Sequence, residues 1–171
     1  MDNGSIRPVK KEDSHRICEI YNHYVQNTCI SFEEAPVPLE EMEIRIATIS
    51  AAYPYLVYET DGEILGYAYA NRWKERAAYR YVAEVTVYID KDHLGRGIGR
   101  ELTKALLDEC RKRGFHALMA VIALPNEASI RLHEEFGFKK VAHFTEVGYK
   151  QERWIDVGYW ELLLSATKQN N

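Results

Sequence analysis

The sequence has no long apolar run: nothing in it approaches the roughly 20 apolar residues that cross a bilayer. Its opening, MDNGSIRPVKKEDS, holds no apolar secretion segment. Neither a membrane span nor a secretion signal is expected, and a cytoplasmic location is. Cysteine is scarce. Cys18, Cys29 and Cys110 are three in number, far apart and without paired spacing, which argues against a disulfide framework and against a zinc site. No metal is expected. A basic excess is missing too, with 22 Lys and Arg against 26 Asp and Glu and a formal charge of -4. So weak a positive balance does not suit a general nucleic-acid binder. Internal repeats are absent, and the one low-complexity tract is the short polar tail TKQNN.

What remains is an ordinary soluble composition, 46% hydrophobic and 28% charged in 171 residues. That length suits one domain, residues 1–171, with a real core. A short strand is predicted at Ile6–Val9, then a helix beginning near Asp13, where Ile17, Ile20, Tyr21 and Tyr24 share a face and Asp13 or Ser14 is placed to cap. Pro36 and Pro38 delay a second helix to Glu40–Ile49. The run YLVYETDGEILGYAYANRW reads as two strands joined at Asp61 and Gly62, an antiparallel hairpin. In the next strand, YVAEVTVYI, Glu84, Thr86 and Tyr88 alternate with Val85, Val87 and Ile89. A helix to Arg113 follows, with Ile98, Leu102, Ala105, Leu106 and Cys110 as its buried stripe and Gly114 as its stop. FHALMAVIA is another strand, Asn126 caps a short helix through Phe136, and two closing strands follow. The expectation is an α/β (α+β) chain with a mixed, mostly antiparallel twisted sheet flanked by helices and one crossover unit.

Between strand and helix stands HLGRGIG, with Gly95, Gly97 and Gly99 flanked by Arg96 and Arg100. Unpaired N–H groups at a helix start favour an anion, commonly a phosphate. The spacing matches neither the P-loop nor the dinucleotide fingerprint. On the glycines alone, a tight bend and a phosphate cradle both stand open.

HLGRGIGRELTKALL, followed after one strand by LPNEASIRLHEEFGFKK, resembles the two central motifs of the GNAT superfamily of N-acetyltransferases. GYAYANRW, AAYRYVAEVTVYI and GYKQERWIDVGYW extend the likeness to the phosphinothricin and methionine sulfoximine acetyltransferase subfamily, from Ile6 to about Leu163. Leu94 departs from the loop's usual Gln or Arg, Ala35 from the subfamily's usual Glu, and His133 from the Tyr of many broader relatives. The resemblance implies the GNAT acyl-CoA N-acyltransferase fold, acetyl-CoA as cosubstrate and a homodimer. It implies backbone binding of pyrophosphate at Leu94, Gly95, Arg96, Gly97, Ile98, Gly99 and Arg100. The pantetheine arm is expected beside Val85, Val87, Tyr88 and Ile89, with Asn126, Ser129 and His133 on the other wall of a slot between splayed strands.

Acetyl transfer to an amine needs a neutral nucleophile, oxyanion stabilisation, a carrier held close and a proton for the leaving sulfur. Glu84, a lone acid in an apolar and aromatic strand, is the candidate base, its pKa raised by desolvation. From the residues alone it also fits the polar face of an edge strand. His133 is the candidate for proton transfer near sulfur. For the acceptor, Phe32, Trp73 and Tyr79 are expected as an apolar wall, while Lys74, Arg76 and Arg80 offer charge to acid groups. Trp154 and Tyr159 belong either to the pocket or to a subunit contact. The reading is direct acetylation of the α-amine of a small acidic amino-acid analogue. The alternatives are a protein N-terminus or another metabolite amine, and an acyl-CoA-binding regulatory protein without turnover.

Overall fold

The structure, a computed structural model, describes residues 4–164, so the polar tail TKQNN lies outside the described residues. A seven-stranded sheet runs in the order β1-β2-β3-β4-β5-β7-β6. β1 (Ser5–Pro8), β2 (Tyr55–Thr60), β3 (Glu63–Arg72) and β4 (Val82–Ile89) form an antiparallel half. β5 (Ala117–Ala123), β7 (Arg153–Leu163) and β6 (Lys139–Lys150) form the other. The halves meet where β4 and β5 run parallel, so the mixed, mostly antiparallel sheet and single crossover expected from the sequence are present.

Hydrophobic periodicity decides which face each helix covers. α3 (Ile98–Lys112) buries Ile98, Leu102, Leu106 and Cys110, a stripe at the three-and-four spacing of one helix face. They join Leu118, Trp160 and the rest of one core cluster. On the opposite face α1 (Ser14–Asn27) and α2 (Leu39–Ala52) pack Ile17, Ile20, Met42 and Ile46 against Val57 and Tyr67. Because strand side chains alternate, Val85, Val87 and Ile89 reach the first cluster while Tyr88 joins the second. α4 (Glu127–Glu135) lies beside the first cluster, where Glu134 accepts a 3.0 Å bond from the indole of buried Trp160.

Turn chemistry follows the sequence closely. Asp61 and Gly62 adopt φ of 51° and 80° and close the β2–β3 hairpin, as the primed two-residue turns require. Gly114, at φ 80°, stops α3.

Two expectations need correction. Neither Asp13 nor Ser14 caps α1: the Asp13 carboxylate accepts from Lys10 N at 2.7 Å and from Arg7, and the Ser14 hydroxyl donates to Lys11 O. An arginine that Asp13 meets across the β1 corner outcompetes the helix end. α2 starts directly after Pro38 and runs three residues past Ile49, to Ala52. No helix among the described residues is long and apolar enough to cross a membrane.

Candidate active site

β4 and β5 pair only at Val82↔Ala117, Ala83↔Leu118 and Glu84↔Met119. Beyond Glu84 the strands separate, and a cleft of about 520 Å³ opens between them. Its phase can be read from neighbouring bonds. Tyr81 O accepts from His116 N on the β5 side, while Asp90 N donates to Leu65 O on the β3 side. Strand backbone groups alternate edges residue by residue, so those of Val85, Val87 and Ile89 face the cleft. The Ile89 carbonyl accepts a 2.6 Å bond from Tyr24.

At the far end of β4 the chain turns into α3. Gly95 and Gly97 hold φ of 73° and 84°, and a Cβ at either would meet nothing within 4 Å. Glycine is needed there for its conformation, and the space over the turn is open. Gly97 is the α3 N-cap, without a side-chain cap, and the first helical bond runs from Glu101 N to Gly97 O at 3.1 Å. The N–H groups before Glu101 thus have no partner within the helix, and the helix field adds to their pull on an anion. Arg96 and Arg100 are exposed at this turn; Arg100 pairs with Glu135 at 2.6 Å.

An anchor that sequence reasoning missed holds this turn. Asp90, buried, accepts from Asp92 N at 2.8 Å, approaches His93 Nδ1 at 3.0 Å and receives Arg16 of α1 at 2.6 Å. Burial pushes its carboxyl pKa up, but the bonds from His93 and Asp92 and the charge of Arg16 outweigh this and hold it below the ordinary value.

The α4 wall of the cleft carries Asn126, Ser129 and His133. Asn126 accepts from Ser129 N at 3.2 Å and caps α4, as the sequence implied. His133 is 5% exposed, with Nδ1 2.8 Å from Ser129 O. A carbonyl can only accept, so Nδ1 carries the proton and donates. Nε2 is then the lone-pair nitrogen, and it has no hydrogen-bond partner among the described residues. Burial lowers the pKa of the ring.

At the other end stands Glu84, half-buried, opposite Asn71 and Met119. Burial raises its carboxyl pKa, and the charge of Lys74 partly opposes the rise. Tyr21, Ser31, Phe32, Tyr69 and Thr86 line the same cleft. Tyr21 donates to Glu33 and meets Ser31 Oγ at 2.8 Å. Burial and Glu33 push its phenol up to about 12. Glu33 is bonded to Arg45 at 2.6 and 3.0 Å.

Of the expected site residues, Glu84, Phe32, Val85, Val87, Tyr88, Ile89, Leu94, Asn126, Ser129 and His133 share this cleft. Gly95 to Arg100 form the turn and helix start at its end. Trp73, Lys74, Arg76, Tyr79 and Arg80 lie on the segment after β3, outside the cleft lining. There Trp73 meets Tyr79 edge-on at 5.3 Å, and Arg80 stacks over Tyr81 at 4.5 Å. Trp154 and Tyr159 do not line the cleft: Trp154, 61% exposed, packs on Tyr149, and Tyr159 meets Phe144. Tyr21, Ser31, Tyr69 and Thr86 went unnoticed in the sequence. The available signal was parity, since Tyr69 pairs with Thr86 two positions from the Asn71↔Glu84 pair. Among the described residues no group of three or more His, Cys, Asp or Glu side chains could hold a metal ion.

Comparison with known proteins gives these features a family. The family model described as an acetyltransferase (GNAT) domain matches residues 6–158. A phosphinothricin N-acetyltransferase of Streptomyces viridochromogenes is 38% identical over 156 residues, 91% of this chain and 85% of that one. An L-methionine sulfoximine/L-methionine sulfone acetyltransferase of Salmonella typhimurium is 38% identical over 94% of each chain. Among solved structures, a GNAT superfamily phosphinothricin acetyltransferase of Sinorhizobium meliloti in complex with acetyl-CoA superimposes with a TM-score of 0.93. It is 33% identical, and the match covers 100% of this chain and 93% of that one.

His133 provides the first test. Nitrogen-detected NMR is expected to show a neutral ring protonated at Nδ1, with a titration midpoint below the ordinary 6.5. The unfolded chain then binds more protons than the native one below that pH, so this residue's share of stability falls as pH drops through 6.5. A midpoint at or above the ordinary value contradicts the buried tautomer.

Proposed function

The chain belongs to the GNAT acetyltransferase family, and we propose that it transfers acetyl from acetyl-CoA to the α-amine of a small acidic amino-acid analogue, of phosphinothricin or methionine sulfoximine type. Acetyl-CoA-dependent N-acetyl transfer to a small amine is the activity of the protein; the acceptor and the residue roles are the proposal. The observation that carries it is the parting of β4 and β5 at Glu84, which joins a carboxylate at one end of a cleft to a glycine turn at the other.

The residues fit acetyl-CoA. Open space over Gly95 and Gly97 admits phosphates to the main chain, and the uncapped start of α3 offers N–H donors. Leu94 removes a polar side chain from this loop, but the donors are backbone groups and are unaffected. The edge of β4 at Val85 and Val87 offers peptide groups to the amides of the pantetheine arm, facing Asn126 and Ser129. When bound, acetyl-CoA supplies an activated thioester carbonyl.

Glu84 receives the proton of the acceptor's ammonium, directly or through one water. Burial makes its carboxylate a stronger base than an exposed glutamate, and the charge of Lys74 partly opposes that rise in basicity. After the amine attacks, the second proton of its nitrogen passes to the lone pair at His133 Nε2, and from there to the sulfur as the bond between sulfur and the acetyl carbon breaks. The ring's lowered pKa makes its protonated form a ready donor to the leaving sulfur. Lys74, Arg76 and Arg80 stand on the segment between β3 and β4 that leads to Glu84. Their charge attracts carboxylate or phosphinate groups and repels polyamines. Phe32, Trp73 and Tyr79 supply apolar surface on the acceptor's approach. Ala35, three residues beyond Phe32, lacks the acid that the subfamily usually carries there.

A homodimer completes the proposal. Phe144, Val147, Tyr149 and Trp154 on β6 and β7 are 47% to 61% exposed, and β6 is the free edge of the sheet. Large apolar side chains so placed suit a second copy of the chain.

Three measurements follow. Glu84→Gln is expected to lower the rate by about 10² to 10⁴-fold with acetyl-CoA affinity intact. The parent's rate should rise with pH through the raised carboxyl pKa, a limb that the variant loses. A variant within about twofold of the parent across the profile removes Glu84 from the role. In competition at fixed acetyl-CoA, phosphinothricin or methionine sulfoximine should outrun spermidine and a short N-terminal peptide in kcat/KM; the reverse order overturns the acceptor. Sedimentation of the parent should give a dimer that Trp154→Glu dissociates; a monomeric parent disproves the contact.

A further inference from the structure

A lysine is seldom buried without a carboxylate partner. Lys150 is 5% exposed, and its ammonium donates to two backbone carbonyls, Val25 O at 2.7 Å and Ser31 O at 2.6 Å. It is the last residue of β6, just before the turn at Gln151 and Glu152, both with φ above 50°. Val25 belongs to the last turn of α1, where carbonyls lack helical partners and the helix end is negative. That turn has no basic residue of its own. Lys150 supplies the missing charge from a distant strand.

Its second partner extends the effect into the cleft. The Ser31 backbone is held by Lys150, while the Ser31 hydroxyl meets Tyr21 and accepts from Glu33 N at 3.3 Å. Phe32 is packed onto the same strand: a Cβ on Gly148 would fall 2.4 Å from its ring. Cys29 completes the contact, bonding to Gln151 at 3.3 Å and receiving Arg153 at 3.2 Å. The tip of the β6–β7 hairpin thus grips residues 29 to 32 at three points.

We infer that Lys150 is a positioning residue for the acceptor: its buried ammonium ties the end of α1 to Ser31 and so sets the Ser31–Phe32 wall opposite Glu84. The inference rests on the reading that this end of the cleft takes the acceptor. Lys150 does not itself line the cleft, so it acts through Ser31 and Phe32. The hydrogen bonds of the clasp run to the end of α1 and to residues 29 to 31, not to the glycine turn or α4, so donor affinity serves as the control. Burial lowers the pKa of the ammonium, and the negative charges of Glu34 and Glu33 partly oppose the fall. Removing the donors leaves two carbonyls with nothing to bind.

The test uses Lys150→Met, which keeps length without donors, and Gly148→Ala, whose Cβ strikes the Phe32 ring. Both are compared with the parent by acceptor KM, kcat, acetyl-CoA affinity and backbone hydrogen exchange. For Lys150→Met the expected result is an acceptor KM raised about tenfold or more, kcat changed less than about threefold and acetyl-CoA affinity unchanged. Exchange should quicken at residues 28–32 and not in α3 or α4. Lys150→Arg, which retains charge and donors, should recover most of the loss. Gly148→Ala should give the same split without the quickened exchange, and Lys150→Gln, which keeps a donor but no charge, replaces Lys150→Met if that variant does not fold. An acceptor KM within about twofold of the parent in these variants, or acetyl-CoA affinity falling in step with it, overturns the inference. If the parent acetylates none of the amines offered, the proposed function fails on its own account. The exchange arm then still decides the clasp, and unchanged exchange at 28–32 refutes it.

Discussion

The hydrogen-bond ladder between β4 and β5 stops after three residue pairs, and the site depends on that interruption. A sheet normally satisfies the polar backbone groups at its centre with a neighbouring strand. Here the neighbour diverges, so the groups of Val85 and Val87 meet the cleft. Such an interruption costs stability, and the structure compensates on both sides. Tyr24 donates to Ile89 O. Asp90, tied to Arg16, fixes the strand end before the glycine turn. Two separate clusters, one on each face of the sheet, brace the halves that the cleft divides.

Much of this was readable in the residues because the signals were local. The α3 stripe, the Asp61–Gly62 hairpin, the Asn126 cap and the glycines before α3 each rest on neighbours within one turn of chain. Glu84 was legible for a different reason, as a charge misplaced in an apolar strand. What escaped were contacts between residues far apart in sequence. Asp13 looked like a cap until Arg7 and Lys10 claimed its carboxylate. Tyr21, Ser31 and Tyr69 converge through packing of α1 and strand register, neither of which the sequence displays. Lys150 reads as one more polar residue in an edge strand, yet it is among the most enclosed charges in the molecule.

The cationic segment marks the limit of adjacency as an argument. Lys74, Arg76 and Arg80 precede Glu84 closely, but the chain leaves β3 and loops outward before β4 returns. Only Lys74 comes near enough to act on the Glu84 carboxylate. On the α2 side the cation Arg45 is already bonded to both Glu33 and Glu41. Its charge is spent within the protein.

The two ends of the cleft are built from different materials. The glycine turn presents main chain, whose N–H groups do not depend on the side chain at Leu94. The opposite end is a mosaic of side chains on α1, the segment after it, β3 and β4, held in place by a hairpin tip. On the proposed reading, substitutions redraw the acceptor's surroundings one residue at a time while the donor's remain constant. A fold divided in this way can diversify its acceptors across descendants without having to rebuild the machinery that delivers the acetyl group.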